Sequence, residues 1–135
     1  MPCSAELVCV DPERIYEVWP HAWHLIKSAI EKTNLSRFED IALQVLEGRQ
    51  LLWLAWDGQK IEAAATTQLL PDVCVLTACG GNDRQHWLPL LEQIEKYAAD
   101  EGCKRMRLYG RKGWERVLDG YRADYVILEK TIGWN

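Results

Sequence analysis

The chain has 135 residues, 48% of them hydrophobic and 27% charged. That is enough for one domain spanning 1–135 with a real core, and it excludes intrinsic disorder, a collagen-like repeat and a coiled coil. Sixteen Lys and Arg against twenty Asp and Glu give a net charge of −4, so neither nucleic acid nor an anionic membrane surface is an expected partner.

Glu6 to Val10 alternates and reads as a first strand. Asp11-Pro12-Glu13 reads as a helix start, with Asp11 as N-cap and Pro12 at the first helical position. The helix runs toward Lys32, its apolar positions Ile15, Val18, Trp19, Ala22, Trp23, Ile26 and Ile30 falling on one face, and Pro20 is expected to kink or split it. Ser36 and Glu39 have capping-box spacing before a second helix from Arg37 to Glu47, which Gly48 ends. Leu51 to Trp56 is a strand, Asp57-Gly58 a hairpin turn, and Lys60 to Leu69 the antiparallel return. Pro71-Asp72 turns the chain into Val73 to Cys79, apolar enough to be covered on both faces. After Gly80 to Asp83 a long amphipathic helix is expected up to Glu101, stopped by Gly102. Cys103 to Tyr109 reads as a strand, Trp114 to Leu118 as a short helix, and Tyr125 to Ile132 as the last strand. The expected order is β-α-α-β-β-β-α-β-α-β.

Five cysteines, Cys3, Cys9, Cys74, Cys79 and Cys103, are odd in number and contain no CxxC spacing, so a zinc site has no support and reduced thiols in a cytoplasmic protein are expected. No metal is predicted: His21 and His24 lie three apart on a helix without a ligand partner nearby. The first residues lack the basic start and long apolar core of a signal peptide, and no apolar stretch approaches the roughly 18 residues of a membrane span. Seven tryptophans are unusual for this length. Most should fill the core, but Trp114 and Trp134 are poorly placed for it, and at least one of them is expected to pack against another chain.

The element order, the run from Leu90 to Leu108 and the Gly120-Tyr121 pair resemble the GNAT N-acetyltransferase superfamily, with its α/β fold built on a mixed central sheet. The central helix running into the next strand carries the resemblance, and Gly120-Tyr121 takes the place of the family's Gly-Phe. The wording from Glu101 to Trp114 also resembles compact GNAT-like proteins encoded by tailed bacteriophages. The resemblance implies that Val73–Cys79 and Lys104–Tyr109 are parallel neighbours joined by a right-handed crossover. It also implies an acetyl-CoA site, with pantetheine along the splayed fourth strand and pyrophosphate on a glycine-rich loop at the start of the central helix. The cofactor-binding residues it points to are Thr77, Ala78, Cys79, Gly80, Gly81, Asn82, Arg84 and Gln85.

This sequence departs from the family at that loop. The signature Gln/Arg-x-x-Gly-x-Gly/Ala falls on Asn82 to Trp87, where Gln85 and Trp87 stand in place of the two glycines and Asp83 adds a like charge to the phosphate. Val73 to Cys79 carries no carboxylate, so Glu62 on the preceding strand is the nearest candidate base, and Tyr109 and Tyr121 are the candidate acids, neither in the family's usual slot. His86 is a further acid/base candidate, read first as a surface residue of the helix start. Arg111, Lys112 and Arg116 form a basic cluster that suits either an anion such as the 3′-phosphate of CoA or a solvated loop.

Two readings follow. One is a GNAT-like scaffold with a degenerate acetyl-CoA site, without catalysis and without cofactor, working through a protein partner or as a homo-oligomer, in a phage particle or the host cytoplasm. The other is an acetyl-CoA-dependent N-acetyltransferase acting on an amine of a small molecule or protein. The missing glycines, the unmatched tyrosine and the abundance of tryptophan weigh toward the first.

Overall fold

A computed structural model describes residues 5–82, 84–110 and 112–133. Five strands form one sheet in sequential order: β1 (Glu6–Cys9), β2 (Leu51–Trp56), β3 (Ile61–Leu70), β4 (Val73–Gly81) and β5 (Arg105–Leu108). The first four are antiparallel neighbours and β5 runs parallel to β4, as the resemblance implies. Helices α1 (Ile15–Thr33) and α2 (Phe38–Leu46) precede β2, while α3 (Arg84–Trp87) and α4 (Leu91–Asp100) lie between β4 and β5.

The turns follow from their residues. Asp57 Oδ1 accepts the backbone N–H of Gln59 and of Lys60, each at 2.8 Å, and Gly58 takes φ +100° between them. Those backbone bonds hold the Asp57 carboxyl below its ordinary pKa. Asp72 adopts φ 63° at the tight β3–β4 turn, and its carbonyl accepts the N–H groups of Lys104 and Arg105 at 2.9 and 3.1 Å, fixing where β5 enters the sheet. Asp11 caps its first turn by accepting the Glu13 N–H at 2.9 Å, over a 3₁₀ segment that leads into α1.

Several expectations are corrected. Pro20 neither splits nor ends α1, which continues through it. Pro20 lies on the exposed side near the helix start, where water can take the carbonyl that its missing N–H would have bonded. The capping box does not form: α2 begins after Arg37, without a side-chain cap. The long central helix is broken into α3, a 3₁₀ turn over Leu88–Leu90 and α4, because Pro89 at the start of that turn cannot donate to the helical ladder. The expected short helix is a 3₁₀ turn over Lys112–Arg116. The expected last strand, Tyr125 to Ile132, has no regular secondary structure, is exposed, and joins no strand among the described residues.

The sheet is covered on both faces. Ile15, Ala22, Ile26 and Ile30 of α1, with Ile41 and Val45 of α2, pack on Leu52, Leu54, Ala64 and Ala78. Leu91 and Ile94 of α4 pack on Trp53, Ala65 and Leu76 of the other face. The Trp53 indole N–H donates to Thr67 Oγ1 at 2.9 Å, and its ring meets Tyr97 edge-on with centroids 5.1 Å apart. A polar seam crosses the first face. The Thr66 and Thr77 hydroxyls meet at 2.6 Å, the Thr77 hydroxyl donates to Gln50 Oε1 at 2.6 Å, and Gln50 Nε2 donates to Gln44 Oε1 at 2.9 Å.

Thr77 is the hub of that seam and is buried. Thr77→Val should therefore strand the Gln50 oxygen and cost about 1–3 kcal/mol in urea unfolding, whereas Thr77→Ser keeps the hydroxyl and should cost less. Equal losses in the two variants would show that the methyl, not the hydroxyl, matters.

Candidate functional site

Parallel pairing of β4 with β5 covers Val73–Leu76 against Arg105–Leu108 and then stops. A last, long bond from the Tyr109 N–H to the Leu76 carbonyl measures 3.5 Å. Beyond it the two strands part, and the β5-facing edge of Thr77–Gly81 is left open. The split is a cleft of about 420 Å³ bounded by Thr77 to Gly81, by Lys32 and Thr33 at the end of α1, by Arg84 and Trp87 of α3, and by Tyr109 and Trp114. Among the described residues two cations and no carboxylate line it, so their field suits an anionic or amide-bearing ligand.

The predicted cofactor-binding residues divide. Thr77, Ala78, Cys79, Gly80, Gly81 and Arg84 line the cleft together. Asn82 does not, and its backbone is already used: its N–H donates to the Glu62 carbonyl and its carbonyl accepts the Trp87 indole N–H, both at 2.9 Å. The side chains of Gln85, His86 and Lys112, together with Asp83, Arg111 and Trp134, lie outside the described residues.

The two glycines serve packing. A Cβ on Gly80 would lie 3.0 Å from the Cβ of Ala29 and 3.1 Å from the Leu25 carbonyl, so this glycine lets α1 approach β4. A Cβ on Gly81 would lie 2.4 Å from both the Ala63 Cβ and the Glu62 carbonyl. Neither forms the phosphate cradle of the family signature. α3 is a single short turn, and the longer α4 opens with Glu92 in its first turn, which disfavours an anion there.

Two indoles occupy the wide end of the cleft. Trp87 is buried, and its ring centroid lies 6.2 Å from that of Trp114. The Arg84 guanidinium stands 5.5 Å over the Trp114 ring. Gly110 makes room for this arrangement, since a Cβ there would come within 2.9 Å of Trp114 Cδ1. Trp114 thus packs against Trp87 and Arg84 of its own chain and stays half-buried, while Trp134, the other indole expected at a contact between chains, lies outside the described residues.

The structure brings Tyr109 and Tyr121 to one hollow beside β5 and leaves Glu62 apart from both. Glu62 is buried on β3, with Lys60 Nζ at 3.9 Å, and does not line the cleft. Tyr121 faces the hollow beside β5 and donates its hydroxyl to Glu95 Oε2 at 2.8 Å. Burial first, and then that bond to a carboxylate, push its phenol well above the ordinary value. Tyr109 alone of the three lines the cleft, half in solvent. Burial pushes the Cys79 thiol up to about 12, so at neutral pH it is protonated and a poor nucleophile. Lys32, Thr33 and Trp114 were missed as lining residues. Lys32 carries a sequence signal, a cation in the last turn of α1, but nothing local showed that this helix end meets the β4 edge.

No family model matches the sequence, and no curated protein matches it. Solved structures do. An aminoglycoside acetyltransferase from an uncultured soil metagenomic sample, in complex with sisomicin, superposes with a TM-score of 0.68 over 96% of this chain and 97% of its own, at 11% identity. A ribosomal-protein-alanine N-acetyltransferase from Brucella melitensis biovar Abortus 2308 gives 0.66 over 96% and 99%, at 9% identity. The fold is the GNAT acetyltransferase fold. A predicted acetyltransferase from Clostridium acetobutylicum, solved with acetyl-CoA, matches at 0.62 over 93% and 96%, with 10% identity. At these identities the likeness concerns the fold alone. Against that GNAT frame the open β4 edge is kept, while the glycine loop is replaced by the closure between Asn82 and Trp87. Among the described residues the Thr77–Gly81 edge is open to the amides of a pantetheine arm, while Asn82, at the first signature position, has both its N–H and its carbonyl bonded within the chain.

The Tyr121 phenol has a measurable signature. Its pKa is raised on folding, so its contribution to stability is complete below the unfolded value of about 10 and declines above it. The stability advantage of the parent over Tyr121→Phe should be constant from pH 6 to 9 and shrink by pH 11 in denaturant titrations. An advantage still undiminished at pH 11 would contradict the raised pKa.

Proposed function

We propose that this GNAT-fold protein has a degenerate acetyl-CoA site and works by binding a protein partner or further copies of itself rather than by acyl transfer. The observation that carries this reading is the closure of the loop after β4. The Trp87 indole is tied to the Asn82 carbonyl, and the Asn82 N–H is tied to the Glu62 carbonyl, so the first N–H of the signature stretch is taken and a buried indole stands where the second glycine would admit a phosphate. The placing of the acid–base candidates agrees with it. Acyl transfer needs a base at the amine and an acid at the leaving thiolate within reach of one point. Here Glu62 lies off the cleft and Tyr121 is committed to Glu95. The likeness of the Glu101–Trp114 wording to compact phage-encoded GNAT-like proteins supports a place in a phage particle or in the host cytoplasm. No described helix is long and apolar enough to cross a membrane.

A second reading, an acetyl-CoA-dependent N-acetyltransferase, is favoured by one feature. Tyr109 stands beside an open strand edge in a cleft that no carboxylate lines among the described residues. In that case the edge from Thr77 to Gly81 would hold the pantetheine amides, Arg84 and Lys32 would face the phosphates, and Tyr109 would be the proton donor. Acetyl-CoA would supply the acyl group.

Calorimetric titration separates the two. The parent protein should show no saturable heat with acetyl-CoA up to about 1 mM, an affinity limit near −4 kcal/mol. Gln85→Gly with Trp87→Gly should open the loop and bring binding into the micromolar range, at a stability cost of about 3–5 kcal/mol for the lost buried indole. Micromolar binding by the parent, with thiol release in the presence of amines, would restore the enzyme reading.

A further inference from the structure

The open part of the β4 edge has a direction that its neighbours reveal. Successive backbone N–H groups of an extended strand point to opposite edges. The Asn82 N–H is turned to β3, where it meets the Glu62 carbonyl at 2.9 Å. The register from Cys79 to Gly81 is regular, since the irregularity opposite Thr66 and Thr67 comes before it. The N–H and carbonyl groups of Gly81 and of Cys79 are therefore turned to the side that β5 has left. The last bond across the split, from the Tyr109 N–H to the Leu76 carbonyl, comes before both residues. Gly80 and Gly81 are small because α1 and β3 crowd them, and they carry no side chain to fence the edge. Such an edge is a template for one more strand.

The walls of the split decide what kind of strand. Lys32, in the last turn of α1, and Arg84, on α3, both line the cleft and both are exposed. No carboxylate lines it among the described residues. The Cys79 thiol is protonated at neutral pH and adds no charge. An acidic segment suits this field and a basic one does not. A helix has no free backbone to offer an edge, because its groups are bonded within it. An extended peptide repeats its paired groups every second residue, roughly 6.6 Å apart, which is the spacing of Cys79 and Gly81. The cleft of about 420 Å³ takes a short stretch of chain.

We propose that a short acidic segment of a partner protein adds to the sheet as a strand, pairing with the backbone of Cys79 and Gly81 and turning its carboxylates to Lys32 and Arg84. The added strand continues the sheet where β5 turns away, between β4 and Tyr109. It gives the binding role proposed above its site and the chemistry of its partner, and rests on that reading.

The probe is a synthetic, end-blocked heptapeptide of alternating Glu and Val, titrated into the ¹⁵N-labelled full chain. The Cys79 and Gly81 amide signals should shift saturably by roughly 1 mM peptide, and their hydrogen exchange should slow at least 10-fold. Lys32→Glu, at an exposed helix end, should weaken binding at least 10-fold and leave the signals of the sheet in place. Two control peptides need no variant of the protein. One has every backbone nitrogen methylated and the other has Lys for each Glu, and neither should bind. No shift by 1 mM, binding of either control as tight as the probe, or indifference to Lys32→Glu would each overturn the added strand. Acetyl-CoA in a parallel sample keeps the two proposals apart. Micromolar acetyl-CoA binding would defeat the binding role itself, whereas silence toward both ligands would defeat the added strand alone.

Discussion

Everything at the candidate site depends on where β4 and β5 stop pairing. The parallel ladder ends at Leu76 and Leu108, and past it the two strands diverge. A parallel pair that parts leaves one edge of amides without partners, and buried amides need partners. GNAT acetyltransferases meet that need with the amides of a pantetheine arm. This chain keeps the same opening, and has placed two indoles and a guanidinium at its wide end. Trp87, Trp114 and Arg84 form one packed group, the two indoles tilted at 50° to each other, anchored by the bond from Trp87 to Asn82. The rest of the local sequence is arranged around them: Gly110 yields space to Trp114, and Pro89 ends the short turn that presents Trp87.

The glycines show how one residue type can serve different demands. In the family signature, glycine admits a phosphate to the backbone. Here Gly80 admits a helix and Gly81 admits a neighbouring strand. Both are needed by the core, and they precede the loop where phosphate would bind. Scaffold and site have therefore separated. The sheet, α1 and the opening follow the common fold, while the loop and the acid–base groups do not.

Most of the fold was legible in the chain because its signals are local. Alternation gave the strands, Asp57-Gly58 gave a hairpin whose turn bonds are now visible, and helical spacing gave α1 and α2. The errors occur where a local signal was overruled or ignored. Pro89 stood in plain view inside an amphipathic run and still broke it. Pro20 was expected to kink or split α1, and it does not split it, because its place near an exposed helix start made the missing bond cheap. The segment from Tyr125 to Ile132 has every mark of a strand, but a strand also needs an edge, and pattern does not reveal which edge is within reach. The site was half legible. The open edge from Thr77 to Gly81 followed from element order, and the loss of the two signature glycines was visible by position. That Lys32 and Trp114 meet there was not, since residues this far apart in the chain are joined only by packing.

The central claim is that Trp87, tied to Asn82 and packed on Trp114, keeps the loop after β4 closed to acetyl-CoA. The indole N–H signals of Trp87 and Trp114 in a ¹⁵N correlation spectrum report on it directly, once assigned through Trp87→Phe and Trp114→Phe. With acetyl-CoA raised to about 1 mM, beyond the range of physiologically useful affinity, both signals should stay in place, and the Trp87 N–H should remain slow to exchange because it is bonded to Asn82. Saturable shifts of either signal at micromolar acetyl-CoA, with loss of that protection, would show that the indoles give way to the cofactor and would contradict the claim.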